Sequence, residues 1–124
     1  MPRRWSIDDL DQLSAALDAL EAMLVTRGWE DARRRRGRLV AEELLVNALT
    51  HGRRQGPTAA AALLLTADDA LQIRHAGPPF DPTAPVSPPA EGALGGHGLR
   101  LVKAYAVTLD YVRAGCENVV TATV

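Results

Sequence analysis

Leu10, Leu13, Leu17, Leu20 and Leu24 recur at intervals of three and four within "SIDDLDQLSAALDALEAMLVTRG". That spacing predicts an amphipathic helix with one apolar stripe. Ser6 is the expected N-cap, Asp9 occupies the capping-box place three residues on, and Gly28 ends the helix. A second apolar stripe, Leu39, Val40, Leu44, Ala48 and Leu49, predicts a helix over about Asp31–Thr50, stopped by Gly52, Gly56 and Pro57. The period then changes. "TAAAALLLTADDALQIRHAG" reads as two short strands, about Ala60–Thr66 and Ala70–His75, joined at Asp68–Asp69. A helix through Ala59–Leu65 is the alternative, because alanine is a poor strand former.

Residues 78–92, "PPFDPTAPVSPPAEG", hold six of the eight prolines and predict a loop. "GGHGLRLVKAYAV" reads as a glycine-rich entry into a helix starting near Leu99. "TLDYVRAG" and "NVVTATV" read as a closing hairpin with its turn at Gly115–Asn118. The order predicts one domain spanning residues 1–124. Its class is α+β, a two-layer α/β sandwich with a mixed sheet and helices on one face.

Composition narrows the partners. The net charge of −1 gives no bulk attraction to nucleic acid or membrane, and an aromatic content of 4% argues against a base-stacking platform. No apolar run approaches the ~20 residues of a membrane span, and no leader-like stretch opens the chain, so a cytoplasmic protein is expected. The single cysteine, Cys116, leaves no internal disulfide and no cysteine-based zinc site. The run Arg33–Arg36 reads as a solvated face, with a partner-binding patch as the alternative.

Three clusters carry candidate chemistry. In "EELLVNALTHG", Glu43, Asn47 and His51 are four apart and share a helix face. An Asn and a Glu one turn apart can hold a hydrated Mg²⁺ or orient a nucleophile, and an exposed polar face is the plainer reading. In "IRHAGPPFDP", a strand ending at His75 turns at Gly77. In "GALGGHGLRLV", Gly95, Gly96 and Gly98 precede a helix start, where backbone amides can meet a phosphate closely.

In this order the three clusters resemble the Bergerat-type, histidine-kinase-like ATPases, and most closely the stand-alone anti-sigma-factor serine kinase family. "AEELLVNALTHG" is similar to that family's N box, "IRHAGPPFDP" to its G1 segment, and "GGHGLRLVKAYAVTLDY" to its G2 segment with the following helix. The resemblance implies ATP and Mg²⁺ as ligands. It gives Asn47 to the metal, and Glu43 to general-base or hydroxyl-orienting work in phosphoryl transfer. Gly77 would turn the chain beneath adenine, Gly96, Gly98 and Leu99 would cradle phosphates, and residues 82–94 would form the lid. His97 would add a pH-dependent phosphate contact or stand as an exposed loop histidine.

The family implies two partners, a sigma factor and a small antagonist protein phosphorylated on serine or threonine, and a pairing of two copies through the N-terminal region. No histidine-phosphorylation segment precedes the motifs, which predicts against an ordinary sensor kinase. One position departs from the pattern. The family's G1 aspartate, which accepts a hydrogen bond from the adenine amino group, is here His75. A neutral imidazole offers one acceptor and a protonated one offers none. Three readings therefore stay open: a live kinase, a partner-binding module of the same fold with weak or no ATP binding, and a detached ATPase domain of a sensor kinase.

Overall fold

The computed structural model describes residues 3–53, 61–83 and 97–124. Residues 84–94 of the expected lid, Gly95, Gly96, Gly56 and Pro57 lie outside them. The elements run β1 (Arg3–Ile7), a 3-10 turn (Leu10–Gln12), α1 (Leu13–Thr26), α2 (Asp31–Arg53), β2 (Ala61–Leu65), β3 (Leu71–Ala76), α3 (His97–Tyr105), β4 (Thr108–Ala114) and β5 (Glu117–Thr123). The strand order is β1-β2-β3-β5-β4.

The two-layer α+β arrangement agrees with the sequence reading, but the expected mixed sheet is antiparallel at every described pairing. The reason is the closing hairpin. The segment that leaves β3 and returns through α3 delivers β4 parallel to β3, and β5 folds back between them. Each of the two then meets only β5, which runs the opposite way.

Inward and outward rows alternate as the pleat requires. Leu63, Leu65, Leu71, Ile73, Val120 and Ala122 face the helices and are buried with Leu17, Leu20, Leu24, Leu45 and Leu49. The opposite face carries polar rungs such as Gln72 Nε2 donating to Thr121 Oγ1 at 3.3 Å. The strand reading of Ala61–Leu65 prevails over the helical one because β2 is paired along both edges, with β1 and with β3. Asp69 takes the left-handed conformation (φ 65°) that closes the β2–β3 turn.

The N-terminus corrects the expected helix. Ser6 is not a cap but an exposed residue of β1, opposite Ala62. Trp5 and Ile7 point inward to the core on the same strand. Asp9 caps the 3-10 turn that precedes α1, its Oδ1 accepting from the N–H groups of Asp11 (2.9 Å) and Gln12 (3.2 Å), while α1 itself has no side-chain cap.

Gly28 ends α1 as expected. At φ 81° it lets its own N–H reach Val25 O (3.0 Å) and the Trp29 N–H reach Leu24 O (3.0 Å), the paired bonds of a Schellman stop. The arginine run is neither a solvated face throughout nor a continuous patch. Arg33 lies 3.8 Å over the Trp29 ring and donates to the Val124 carbonyl at 2.8 Å, while Arg34 donates to Trp29 O at 2.5 Å. These two residues tie the α1–α2 corner and the C-terminus together; Arg35 faces solvent.

Candidate functional site

The site is built where α2 crosses the end of β3. Helix α2 has a buried stripe, Val40, Ala41, Leu44, Leu45, Ala48 and Leu49, because those positions recur at helical spacing. Packing that stripe on the sheet places Asn47, at the stripe's margin, over the sheet's inner row. Asn47 lines a pocket with Leu44, Ala48, Ile73, His75, Phe80, Pro82 and Val120. Glu43 lies one turn before Asn47 on the same helix and is half-buried, as Asn47 is. The backbone of His51 continues that row near the end of α2.

The Glu43 carboxyl is held above the ordinary range, first by desolvation and second by the neighbouring Glu42 charge. A carboxyl so placed ionises with a higher proton affinity than an exposed one, which suits a base that must accept a proton from a hydroxyl. Among the described residues no group of three His, Cys, Asp or Glu side chains could enclose a metal. Asn47 carries a carboxamide oxygen and lines the pocket, a donor compatible with Mg²⁺, an ion that takes few protein oxygens and keeps several waters. Asn47 is the residue that would hold it.

His75 is 3% exposed and lies on the inner face of β3, between Ala61 of β2 and Asn118 of β5. It lines the same pocket as Asn47, and its Nδ1 lies 3.4 Å from the Ala76 carbonyl oxygen. Gly77 follows at φ 138°, a conformation open to glycine and strained for other residues, and the chain turns there as expected. Phe80 and Pro82 then come back over the pocket and leave a volume of about 10 Å³. That is room for about one water, whereas small-molecule sites run to about 300–1,000 Å³. A purine fits this site only when Phe80 or Pro82 moves outward.

Helix α3 begins at His97, two residues before the expected start near Leu99, so His97 and Gly98 belong to its first turn. Leu99 packs against the core. The first-turn amides of α3 have no intrahelical partners, which is the property the resemblance assigns to this segment. Helix α3 packs on α2, so its N-terminal turn and the Glu43–Asn47 row belong to adjoining elements.

The sequence pattern puts Asn118 in a turn, and the structure corrects this. The turn is Gly115–Cys116, and Asn118 is the second residue of β5, fully buried. Its Oδ1 accepts from the Phe80 N–H (3.1 Å) and from Tyr111 Oη (2.6 Å), and its Nδ2 donates to Pro78 O (2.9 Å). The alternation Asn118, Val120, Ala122 carried the signal, since it places an amide in the inward row of a strand.

A five-stranded antiparallel sheet under three helices, with an Asn–Glu row on α2 facing a glycine turn at the end of β3, defines the class. The sequence model of the histidine kinase-like ATPase domain matches residues 8–124, and the chain belongs to that family. It is 34% identical over 116 residues to the serine/threonine-protein kinase BtrW of Bordetella bronchiseptica, a match covering 87% of this chain and 82% of that one. Its fold is similar to the crystal structure of the RsbU and RsbW domains of a Mycobacterium tuberculosis protein, with a TM-score of 0.62 at 14% identity. That likeness covers 98% of this chain, which spans 31% of the larger one. Among the described residues no helix is long and apolar enough to cross a membrane.

Proposed function

We propose that this chain binds Mg²⁺·ATP and transfers the γ-phosphoryl group to a serine or threonine hydroxyl of a small antagonist protein. The same protein, when not engaged with the antagonist, holds a sigma factor. The observation that carries this reading is the Glu43–Asn47 row. A desolvated carboxyl of raised pKa stands one turn from an amide that lines the pocket.

In the transfer, the hydroxyl oxygen forms a bond to the γ-phosphorus, the bond from that phosphorus to the bridging oxygen breaks, and ADP leaves. Glu43 takes the hydroxyl proton or orients the hydroxyl for attack. Asn47 would hold Mg²⁺, which would offset phosphate charge. Gly96, Gly98 and Leu99 would meet the phosphates, with Gly95, His97 and His51 near them, and Gly77 would pass beneath the base. The likeness to a serine/threonine-protein kinase supports hydroxyl transfer over histidine transfer in a detached sensor-kinase domain. The test is transfer of labelled phosphate from ATP to candidate antagonist proteins. Labelling of a serine or threonine that disappears in Glu43→Gln is expected; no labelling of any candidate, with nucleotide bound, overturns the kinase reading.

A second reading has its own observations. His75 replaces the carboxylate that reads adenine, and Phe80 with Pro82 leaves about 10 Å³ beside it. Both features suit a module that keeps the fold and the partner surface without ATP. Calorimetric titration of Mg²⁺·ATP into the native protein and into His75→Asp, at pH 6 and pH 8, separates the two. Micromolar binding by the native protein supports the kinase. Binding by His75→Asp alone assigns the loss to His75, and binding by neither leaves the partner module. Pairing of two copies through the N-terminal region is tested by sedimentation of the full chain.

A further inference from the structure

The loop from Gly77 to Thr83 forms one wall of the pocket through Phe80 and Pro82. It carries Pro78 and Pro79 in succession, which have no N–H to offer, and it belongs to no strand or helix. Its backbone is held from the β4–β5 hairpin. The Gly77 N–H donates to Cys116 O (3.3 Å), and Arg113 Nη1 donates to Gly77 O (2.6 Å). Asn118 takes both the Pro78 carbonyl and the Phe80 N–H, and Tyr111 Oη fixes the amide by donating to the same oxygen.

An inward strand position next to Val120 and Ala122 ordinarily takes an apolar side chain, and a buried amide there is costly unless bonded. The bonds of Asn118 go to the pocket loop and to Tyr111, not to the helices beneath it. Tyr111, Arg113 and Asn118 share the inner face of the hairpin, Asn118 opposite His75 on one side and Arg113 on the other.

We infer that Asn118, backed by Tyr111 and assisted by Arg113, is a positioning residue that sets where Phe80 stands, and so fixes the base-side wall of the nucleotide pocket. It touches no ligand. The part of the claim that concerns nucleotide rests on the proposed ATP site; the part that concerns the loop does not. Because the loop is pinned at four backbone groups, the pocket opens by movement of the Phe80 side chain, while the backbone of residues 77–80 stays in place.

The test uses the full chain with Asn118→Ala, Tyr111→Phe and Arg113→Ala, and two probes, Mg²⁺·ATP and inorganic tripolyphosphate. Phe80 amide hydrogen exchange is followed beside that of Leu63 and Ile73. In Asn118→Ala, Phe80 exchange is expected to accelerate by more than that of the two core amides, which follow the loss of global stability alone, ATP affinity to fall about tenfold, and tripolyphosphate affinity to stay unchanged. Tyr111→Phe moves both in the same direction by less, since the loop contacts of Asn118 remain.

Equal loss for ATP and tripolyphosphate would mark a general structural effect and overturn the inference. So would unaltered Phe80 exchange. If the native protein binds neither probe, the ATP reading fails, and Phe80 exchange alone decides whether Asn118 holds the loop. If Asn118→Ala does not fold, Arg113→Ala decides it. Arg113 is exposed and its loss releases the Gly77 carbonyl: faster local exchange supports the clamp, and none overturns it.

Discussion

The ends of β3 and β5 lie side by side, and each buries one polar side chain. His75 and Asn118 oppose each other in register and are the two polar residues buried among those described. Their depth is the same and their surroundings differ. The Asn118 carboxamide is spent on protein groups, two of them in the pocket loop's backbone. His75 lines the pocket together with Asn47, and its Nδ1 lies 3.4 Å from the Ala76 carbonyl oxygen. Burial alone does not separate architecture from chemistry in this fold. Which of the two side chains lines the pocket does.

The largest expected effect lies on the pocket side. Glu43→Gln keeps shape and hydrogen bonding but removes the proton acceptor. Transfer to the antagonist should fall by about 10²–10⁴-fold, the range general-base catalysis supplies, while ATP affinity stays within about twofold. Single-turnover transfer and calorimetry together check it. A parallel fall in affinity would move Glu43 from chemistry to binding. Next comes His75→Asp, which restores a charged acceptor for an adenine amino group. A hydrogen bond to a charged group contributes about 1.5–3 kcal/mol, so ATP should bind roughly ten- to a hundredfold more tightly. No gain would mean that His75 already accepts from the base, or that adenine is not what this wall meets.

The Asn118 side of the comparison predicts a stability effect. Asn118→Ala leaves the Phe80 N–H and the Pro78 carbonyl without their partner and should lower unfolding free energy by about 1–3 kcal/mol, read from urea midpoints. His75→Ala should cost less, since the side chain adjoins the pocket. If His75→Ala costs as much and His75→Asp gains no affinity, the contrast between the two residues collapses and both are architecture.

How far the sequence reveals these features follows from which interactions define them. Helices α1 and α2 are legible because one apolar stripe encodes each, and Gly28 stops α1 by a local device. Strand β1 is not legible. Its five residues make a strand only by pairing with β2, some sixty positions away, and the Ser6–Asp9 spacing mimics a cap. The direction of the sheet is hidden for the same reason, since nothing local says that β5 inserts between β3 and β4. The Glu43–Asn47 row is visible as a spacing, but the occupied pocket beside it depends on Phe80 and Pro82 folding back. Asn118 escapes because "GCEN" has turn composition, and only the inward row it shares with Val120 and Ala122 gives it away.

The smallest effect is one of pH, and it asks whether Glu43 belongs with His75 or with Asn118. Burial and the Glu42 charge raise its folded pKa above the unfolded value near 4.3. Between the two values the native state binds more protons than the unfolded state. Stability therefore falls as pH rises through that window, and the loss persists above it. Glu43→Gln has no such loss, so at neutral pH it should melt slightly above the native protein, and the difference should vanish below the unfolded pKa. A residue kept for architecture would show the reverse, with the glutamine variant less stable at neutral pH. A variant that gains stability while losing phosphoryl transfer would show that the carboxyl is retained against the interest of the fold, and would place Glu43 with the pocket wall.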